Sequence, residues 1–477
     1  MMEGLWTAYE AAAATGGALC ARGGDPDRWI AEEWAARGVS IDTRTLRPGE
    51  MFVALQDARD GHEFLQSAFE RGASVALVAH APASTPDGAP LLVVPDTLGG
   101  LRDLARAARM RNFGKRIAIT GSVGKTSTKD MLRTVLRASG RVHAADKSFN
   151  NHWGVPLTLA SLPMSADFGV FEIGMNHAGE ITPLTKLVAP HVAIVTTVAP
   201  AHLEFFASVE AIAEAKAEIF SGIVEGGAAV LPMDNEHFPL LKKRATEAGV
   251  GHIVTFGESK DANCRLINCH PLENASEISA EIFGERIDFQ LGAPGRHQAM
   301  NALAVLAAAS LSGANLETSA SAFADHGAGV GRGAQREISL EGATIKVIDE
   351  SYNANPVSMA ASIALLGASE PRMDGRRIAV LGDMLELGAD AIRFHEGLAE
   401  NLKAAKVDRV YTAGSLMTAL FKACPQPMRG AAAENVSEIA PLLLEELRDG
   451  DIILVKGSNA SKVSEIISLL ENGRKTG

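Results

Sequence analysis

Several things that would each point to a function are scarce in this sequence. Only four cysteines, Cys20, Cys264, Cys269 and Cys424, occur in 477 residues. So few thiols argue against a disulfide framework and suit a reducing cytoplasm. Cys264, Cys269 and His270 lie close together, but no fourth ligand follows at zinc spacing. No apolar run approaches the roughly 20 residues that a membrane-spanning helix needs, so no membrane insertion is expected. Residues 1–14 hold no basic region followed by an apolar core, which speaks against a secretion signal. Basic charge is not in excess either: 45 Lys and Arg stand against 57 Asp and Glu, a formal net charge of -12. A nucleic-acid binder needs a dominant basic face, so no nucleic-acid partner is expected. A local basic pocket for an anionic small molecule stays compatible with that balance.

What is present is enough apolar material, 47% of the residues, for several cores. At roughly 100–200 residues per domain the length suggests about three domains. An α/β chain is expected, with a small N-terminal α/β domain over 1–98, a central P-loop domain with a mostly parallel sheet over 99–331, and a C-terminal Rossmann-like domain over 332–477. In the first, short apolar runs at 51–55, 75–78 and 91–94 are separated by Gly, Pro and Asp. In the second, strands at 116–120, 168–173 and 192–198 alternate with helices, one carrying Met131, Leu132, Val135 and Leu136 on one face. This rhythm predicts a parallel sheet covered on both faces. In the third, strands at 345–348, 378–381, 409–411 and 452–455 alternate with helical stretches, as in a doubly wound unit.

The sharpest chemical signal is Thr120-Gly121-Ser122-Val123-Gly124-Lys125-Thr126-Ser127, between a strand and an amphipathic helix. Glycines there let backbone N–H groups turn inward, and the helix N-terminus adds positive potential for phosphate. Lys125 would neutralise the β/γ phosphates and the Thr126 hydroxyl would bind Mg²⁺. Ile119 stands where the general P-loop pattern has its first glycine, so the loop is a variant. Glu172 sits near the end of one strand of the same sheet, and His202 comes four residues after another. Ligands bind at the carboxyl ends of parallel strands, so both converge on the phosphate loop as ligands, or supports of ligands, for Mg²⁺. Taken alone, Glu172 is an ordinary strand-end acid and His202 an ordinary loop histidine. Lys216, in Ala213-Glu214-Ala215-Lys216-Ala217-Glu218-Ile219-Phe220, reads from its helix as a lysine on a solvated face.

Together with Phe171-Glu172-Ile173-Gly174-Met175-Asn176-His177, Ala201-His202-Leu203-Glu204 and Gly295-Arg296-His297-Gln298-Ala299-Met300-Asn301, the loop resembles the central domain of the Mur ligases. These enzymes build the peptide of the bacterial cell-wall precursor. Asp349-Glu350-Ser351-Tyr352-Asn353-Ala354-Asn355-Pro356 and Leu381-Gly382-Asp383-Met384-Leu385-Glu386-Leu387-Gly388 resemble the member that adds D-alanyl-D-alanine. Gln298 and Glu350 depart from the commoner Asn and Asp, and no arginine follows Gly457-Ser458.

The resemblance implies an ATP-dependent ligase. ATP would be held by Gly121, Ser122, Val123, Gly124, Lys125, Thr126, Ser127, Asn301 at adenine, Arg332 at the γ-phosphate, and Asp349 or Glu350 at the ribose or the closed domain interface. Thr126 and Glu172 would serve one Mg²⁺, and His202 and a carbamylated Lys216 a second. Lys125, Glu172, His202 and Lys216 would be catalytic. UDP-N-acetylmuramoyl-tripeptide and D-alanyl-D-alanine would meet Ser40, Asp42, Thr43, Arg44, Asp60, Gly61, His62, Asn150, Asn151, Asn176, His177, Tyr352, Asn353 and Asn355. A cytoplasmic monomer is implied. The alternatives are another ligase of the superfamily, either the one that adds the third residue or folylpolyglutamate synthase, and, from another class, a P-loop kinase or switch protein. The last gives no reason for Glu172, His202 and Lys216 to occur together.

Overall fold

Short apolar runs such as Ile117-Ala118-Ile119 are stable only where both faces of the strand are covered, and parallel sheets between helices provide that. The computed structural model describes residues 4–21, 34–340 and 342–472, and it contains three such sheets. The first has five strands in the order Ala18–Ala21, Pro90–Val93, Val75–Val78, Met51–Val53, Val39–Ser40. The second has nine. Lys115–Thr120 lies in it between Val192–Val195 and Phe168–Glu172, with Val142–Ala144 at one edge. Beyond Val192–Val195 come Ala228–Pro232, His252–Gly257 and Cys264–Pro271, all parallel. The antiparallel strands Ser276–Ile282 and Glu285–Leu291 finish that edge. The third sheet runs Ala334–Leu340, Ala343–Glu350, Ile452–Lys456, Arg377–Gly382, Arg409–Ala413, Arg429–Ala433, with only the first strand antiparallel.

The mostly parallel α/β architecture expected from the sequence is therefore present. The expected limit after residue 98 falls on the second residue of a continuous helix, Thr97–Arg111. In the central sheet the chain leaves Lys115–Thr120 toward the Val142 edge, returns, and then crosses to the Val192 side. That reversal opens a crevice at the carboxyl ends of the strands, where sheets of this type take their ligands.

The three sheets are joined differently. Trp6, Met51, Val53 and Leu77 share one apolar core with Leu159, Phe171, Leu184 and Phe220 of the central unit. Trp6 also donates its Nε1–H to the Ala160 carbonyl at 2.9 Å, with the Arg111 guanidinium 3.8 Å above its ring. The C-terminal sheet instead has separate cores on its two faces, around Leu381 and Leu454 on one and Val380 and Val455 on the other. Its contacts to the central unit include polar ones: Lys346 to Glu273 at 3.0 Å, Tyr352 to Ser148 at 3.1 Å, and His202 to Glu386 at 2.5 Å. A polar joint can part without exposing a core, as at transient domain interfaces.

Candidate active site

After Lys115–Thr120 the chain turns sharply and starts the helix Lys125–Arg137 at Gly124. Gly124 has φ 86°, a conformation that favours glycine, and a Cβ there would lie 2.8 Å from Asn301 Oδ1. At Gly121 a Cβ would collide with Thr196 Oγ1. The loop is pinned to the segment after Val192–Val195. Ser122 donates its backbone N–H to the Thr197 carbonyl and its hydroxyl to the Ala199 carbonyl, both at 2.9 Å.

Lys125 Nζ folds back on the Gly121 carbonyl at 2.7 Å. Burial lowers its pKa, Glu172 opposes that shift, and Arg332 adds to it. The Thr126 hydroxyl donates to Glu172 Oε2 at 2.8 Å, and Asn150 Nδ2 donates to Oε1 at 2.8 Å. Glu172 is only 4% exposed, at the end of Phe168–Glu172. A cavity of about 430 Å³ opens here. The central unit contributes residues 122–127, Ser148, Asn150, Glu172, Phe256, Gln298 and Asn301 to its wall, and the C-terminal side contributes Arg332, Glu350, Tyr352, Asn353, Asn355 and Lys456. One stretch is apolar (Pro232, Phe256, Met300), and cations stand near the phosphate loop. Gln298 Oε1 is buried without a hydrogen-bond partner among the described residues.

Arg332 is held twice. Its guanidinium stacks 3.8 Å above the Tyr352 ring and its Nη2 donates to Ser148 Oγ at 3.3 Å. Ser148 is a hub, since Tyr352 OH and Thr126 Oγ1 also reach it at 3.1 Å. Lys456, 2% exposed, donates to the Asn353 carbonyl at 3.0 Å and approaches Glu350 Oε2 at 3.5 Å.

The family comparisons agree with this geometry. Residues 119–309 match the Mur ligase middle domain and residues 336–459 the Mur ligase, glutamate ligase domain. A curated protein of Escherichia coli (strain K12), "UDP-N-acetylmuramoyl-tripeptide--D-alanyl-D-alanine ligase", is 35% identical over 437 residues, covering 91% of this chain and 94% of its own. The chain belongs to the Mur ligase family. Members are ATP-dependent ligases that form amide bonds. Among solved structures, MurF from Acinetobacter baumannii superposes with a TM-score of 0.82 at 27% identity, covering 98% of this chain and 99% of that one. MurF from Thermotoga maritima in complex with ADP gives 0.76 at 26%, covering 92% and 98%.

In this Mur ligase the remaining expected residues fall into three groups. His202 and Lys216 do not line the cavity, but both are near enough to Lys125 to feel its charge. Lys216 is 2% exposed, which corrects its reading as a solvated lysine. Burial and the charge of Lys125 drive its pKa well below the usual lysine value, and no carboxylate pairs with it among the described residues. His202 has its pKa lowered chiefly by burial, against the opposing pull of Glu386.

A second group lies on the N-terminal sheet. Asp42 pairs with Arg44 through Nη2 at 2.7 Å, and that bond holds its carboxyl below the usual range, with a smaller contribution from Lys147. The turn of Ser40, Asp42, Thr43 and Arg44 thus approaches the loop that carries Ser148. Asp60 caps the turn Gly61–Phe64 and accepts from buried His62 Nδ1 at 2.6 Å, while His62 Nε2 accepts the Ala79 N–H. Both nitrogens of His62 are thereby engaged.

The third group serves the backbone. Asn151 accepts from the N–H groups of Trp153 and Gly154 where the helix Gly154–Ala160 begins. Asn355 is the N-cap of Pro356–Ala368, in a capping box with Ser358. Asp349 accepts from Gly331 N and Ser351 Oγ, bracing the linker between the sheets, and does not line the cavity. Asn176 donates its backbone N–H to Glu180, and His177 lies on the Phe205 ring outside the cavity. Asn301 packs on Gly124. The sequence reading missed Ser148, Asp234 and Phe256 as cavity residues. Ser148 follows the edge strand Val142–Ala144, so the strand-end rule applied to that strand would have found it.

Proposed function

We propose that this ligase joins D-alanyl-D-alanine to UDP-N-acetylmuramoyl-tripeptide at the expense of ATP, in the cytoplasm and as a monomer. The observation that carries the reading is the cavity itself. One wall is a phosphate loop with Lys125, Thr126 and Glu172, and the facing wall brings Arg332, Tyr352 and Lys456 from a second sheet. The curated E. coli relative matched over more than nine-tenths of this chain carries that activity in its name.

A carboxylate does not acylate an amine at neutral pH, because oxide is a poor leaving group. Passing the γ-phosphoryl group of ATP to the tripeptide carboxylate releases ADP and leaves an acyl phosphate. Phosphoryl transfer depends on positioning and on neutralising spread charge. Lys125 and Arg332 would supply cations from opposite walls, and the Tyr352 ring and Ser148 hydroxyl hold Arg332 in place. The free amine of D-alanyl-D-alanine then attacks the acyl carbon, phosphate leaves, and the amide remains. Water would consume the acyl phosphate, so both sheets must enclose it. The unpartnered Gln298 Oε1 suits a donor such as an adenine amino group.

The donor set also fits divalent cations. Thr126 and Glu172 present buried oxygens, which suit a hard cation. Lys216 as an ammonium fits poorly, because it is buried near Lys125 without an anion among the described residues. Loss of one proton would free its amine, and addition of CO₂ with loss of a second proton would convert it to an anionic carbamate. Mg²⁺ held by Thr126 and Glu172, and by His202 and carbamylated Lys216, would neutralise charge on the transferring phosphoryl group.

The test is phosphate release from ATP with UDP-muramoyl-tripeptide, with and without D-alanyl-D-alanine. Release that depends on the dipeptide, far above that with single amino acids, is expected. Equal rates with glutamate and a folate acceptor would assign the chain to another superfamily activity.

A further inference from the structure

The motif Leu381-Gly382-Asp383-Met384-Leu385-Glu386-Leu387-Gly388 has no part in the reading above, yet the structure builds it with care. It follows Arg377–Gly382, and almost every polar group near its base is used. Asp383 Oδ1 accepts the Met417 N–H at 2.8 Å, and the Asp383 carbonyl accepts the Ser458 N–H at 3.0 Å. Ser458 Oγ accepts the Leu385 N–H at 3.0 Å, and His395 Nε2 accepts that of Met384 at 3.0 Å. Met384 and Leu387 are sunk in the apolar core on either side of the tip. Leu385 and Glu386 are left outside between them, Glu386 at φ 63°.

The tip meets the loop of His202. Glu386 Oε2 lies 2.5 Å from His202 Nδ1, and the Glu386 carbonyl accepts the Glu204 N–H at 3.1 Å. His202 itself has φ 57°. Two non-glycine residues in the left-handed region, facing each other from different sheets, are a pair held by their surroundings. A carboxylate only accepts hydrogen bonds, so Nδ1 carries the proton and the lone pair of the neutral ring sits on Nε2.

We propose that Glu386 is a positioning residue of the phosphoryl-transfer site: seated against the central unit, it accepts the hydrogen bond of His202 Nδ1–H and so turns the Nε2 lone pair toward a divalent cation. The proposal rests on the reading of His202 as a cation ligand. It gives the C-terminal sheet a second task besides walling the cavity. The ligand set is complete only when that sheet is docked, so a site whose acyl phosphate would be open to water lacks a correctly set imidazole. Carboxylates that orient metal-bound imidazoles act in this way, and their loss weakens metal binding.

The experiment uses the full chain with saturating ADP and Mn²⁺ as the probe, followed by the EPR signal of free Mn²⁺. Glu386→Ala is expected to weaken one Mn²⁺ site about 10–100-fold, the usual loss for such an orienting group. It should raise the Mg²⁺ needed for half-maximal turnover in step and leave the KM for ATP unchanged. Glu386→Gln keeps an acceptor and should retain part of the affinity. The ¹⁵N shifts of the His202 ring should show Nδ1–H in the wild type and lose that preference in Glu386→Ala. A merely structural role would lower stability or kcat while Mn²⁺ affinity and tautomer stayed as in the wild type, and that result overturns the proposal. His202→Ala separates the two readings. Wild-type Mn²⁺ binding in His202→Ala removes the ligand assignment itself. Loss there, with normal binding in Glu386→Ala, removes only the role of Glu386.

Discussion

The carboxyl ends of the central and C-terminal strands meet at one cavity but are finished differently. After Lys115–Thr120 the chain turns through two glycines and presents a helix N-terminus to open space. After Arg377–Gly382 and Ile452–Lys456 the ends are closed by their own side chains, with Asp383, His395 and Ser458 taking up backbone N–H groups. Two lysines, each 2% exposed, repeat the contrast. Lys456 has the Asn353 carbonyl and Glu350 within reach, whereas Lys216 has no carboxylate partner among the described residues and feels the repelling charge of Lys125. Groups left unsatisfied at one end are what a ligand must complete. Groups satisfied at the other end let it keep its shape while it docks.

The strongest way to break this comparison is to remove the cation of the open end. Lys125→Ala should lower kcat by roughly 10²–10³, the scale for losing a contact made to developing charge. The circular dichroism spectrum should stay unchanged, because Lys125 Nζ bonds only to its own loop among the described residues. Phosphate release checks this, and a variant that keeps most of its turnover would end the assignment of the phosphate loop.

Lys216 comes next. Lys216→Ala should lose activity on the order of 10²-fold, by analogy with the loss of one charge-stabilising group, while the KM for ATP changes little. Acetate could fill the vacated space with the missing anionic oxygen, so activity of the Ala variant should rise with added acetate and that of the wild type should not. Lys216→Arg should resist rescue, because its cation still occupies the space. Wild-type turnover in Lys216→Ala would mean that its burial serves packing alone.

That lysine also marks where the sequence stopped being readable. The phosphate loop is local, so its glycines, strand and helix could be seen together, and Glu172 and His202 followed from the strand-end rule. Lys216 sits on Val209–Ala217, four residues after Ile212 and three after Ala213, all three buried. Its spacing put it on the inward face, but the helix is so rich in alanine that the apolar stripe barely stands out and the charge argued for solvent. The βαβ rhythm made the parallel sheets legible. Nothing local announced that Trp6 packs against Ala160, or that His202 and Glu386, 184 residues apart, would touch. Family resemblance named Asn355 as a substrate contact, whereas Asn-Pro before an apolar run is also a helix N-cap followed by proline at the first turn, and the structure shows that cap.

The cap offers a sharper test of the closed end. Asn355→Ala should cost about 1 kcal/mol of stability, as N-cap losses do, and lower Tm by about 2–4 °C. Activity should fall only as far as the cavity wall loosens. A large loss of kcat/KM at unchanged Tm would instead make Asn355 a substrate contact and bring the closed end closer to the open one.

The smallest effect concerns His395, which fastens the base of the Glu386 loop. Its Nε2 accepts the Met384 N–H at 3.0 Å and its Nδ1 donates to the Ala391 carbonyl at 2.6 Å, so the bonded ring is neutral. Burial lowers its pKa below the usual histidine value, with smaller opposing contributions from the Ala391 carbonyl and Asp383. Because the folded-state pKa is the lower one, the unfolded chain binds the proton first as pH falls. The stability that His395 contributes is full above its unfolded pKa of about 6.5 and declines below it, toward the folded value. His395→Gln keeps an acceptor for Met384 and a donor for Ala391 but cannot titrate. Thermal melts of both proteins from about pH 8 to pH 5, spanning the histidine range, should run parallel at the upper end. Below about 6.5 the wild type should lose Tm faster. His143, His191 and His326, whose pKa values are also lowered by burial, are common to both proteins and cancel in the difference. Equal slopes below that pH would mean that protonating His395 does not strain the loop, and the closed end would then owe its shape to Asp383 and Ser458 alone.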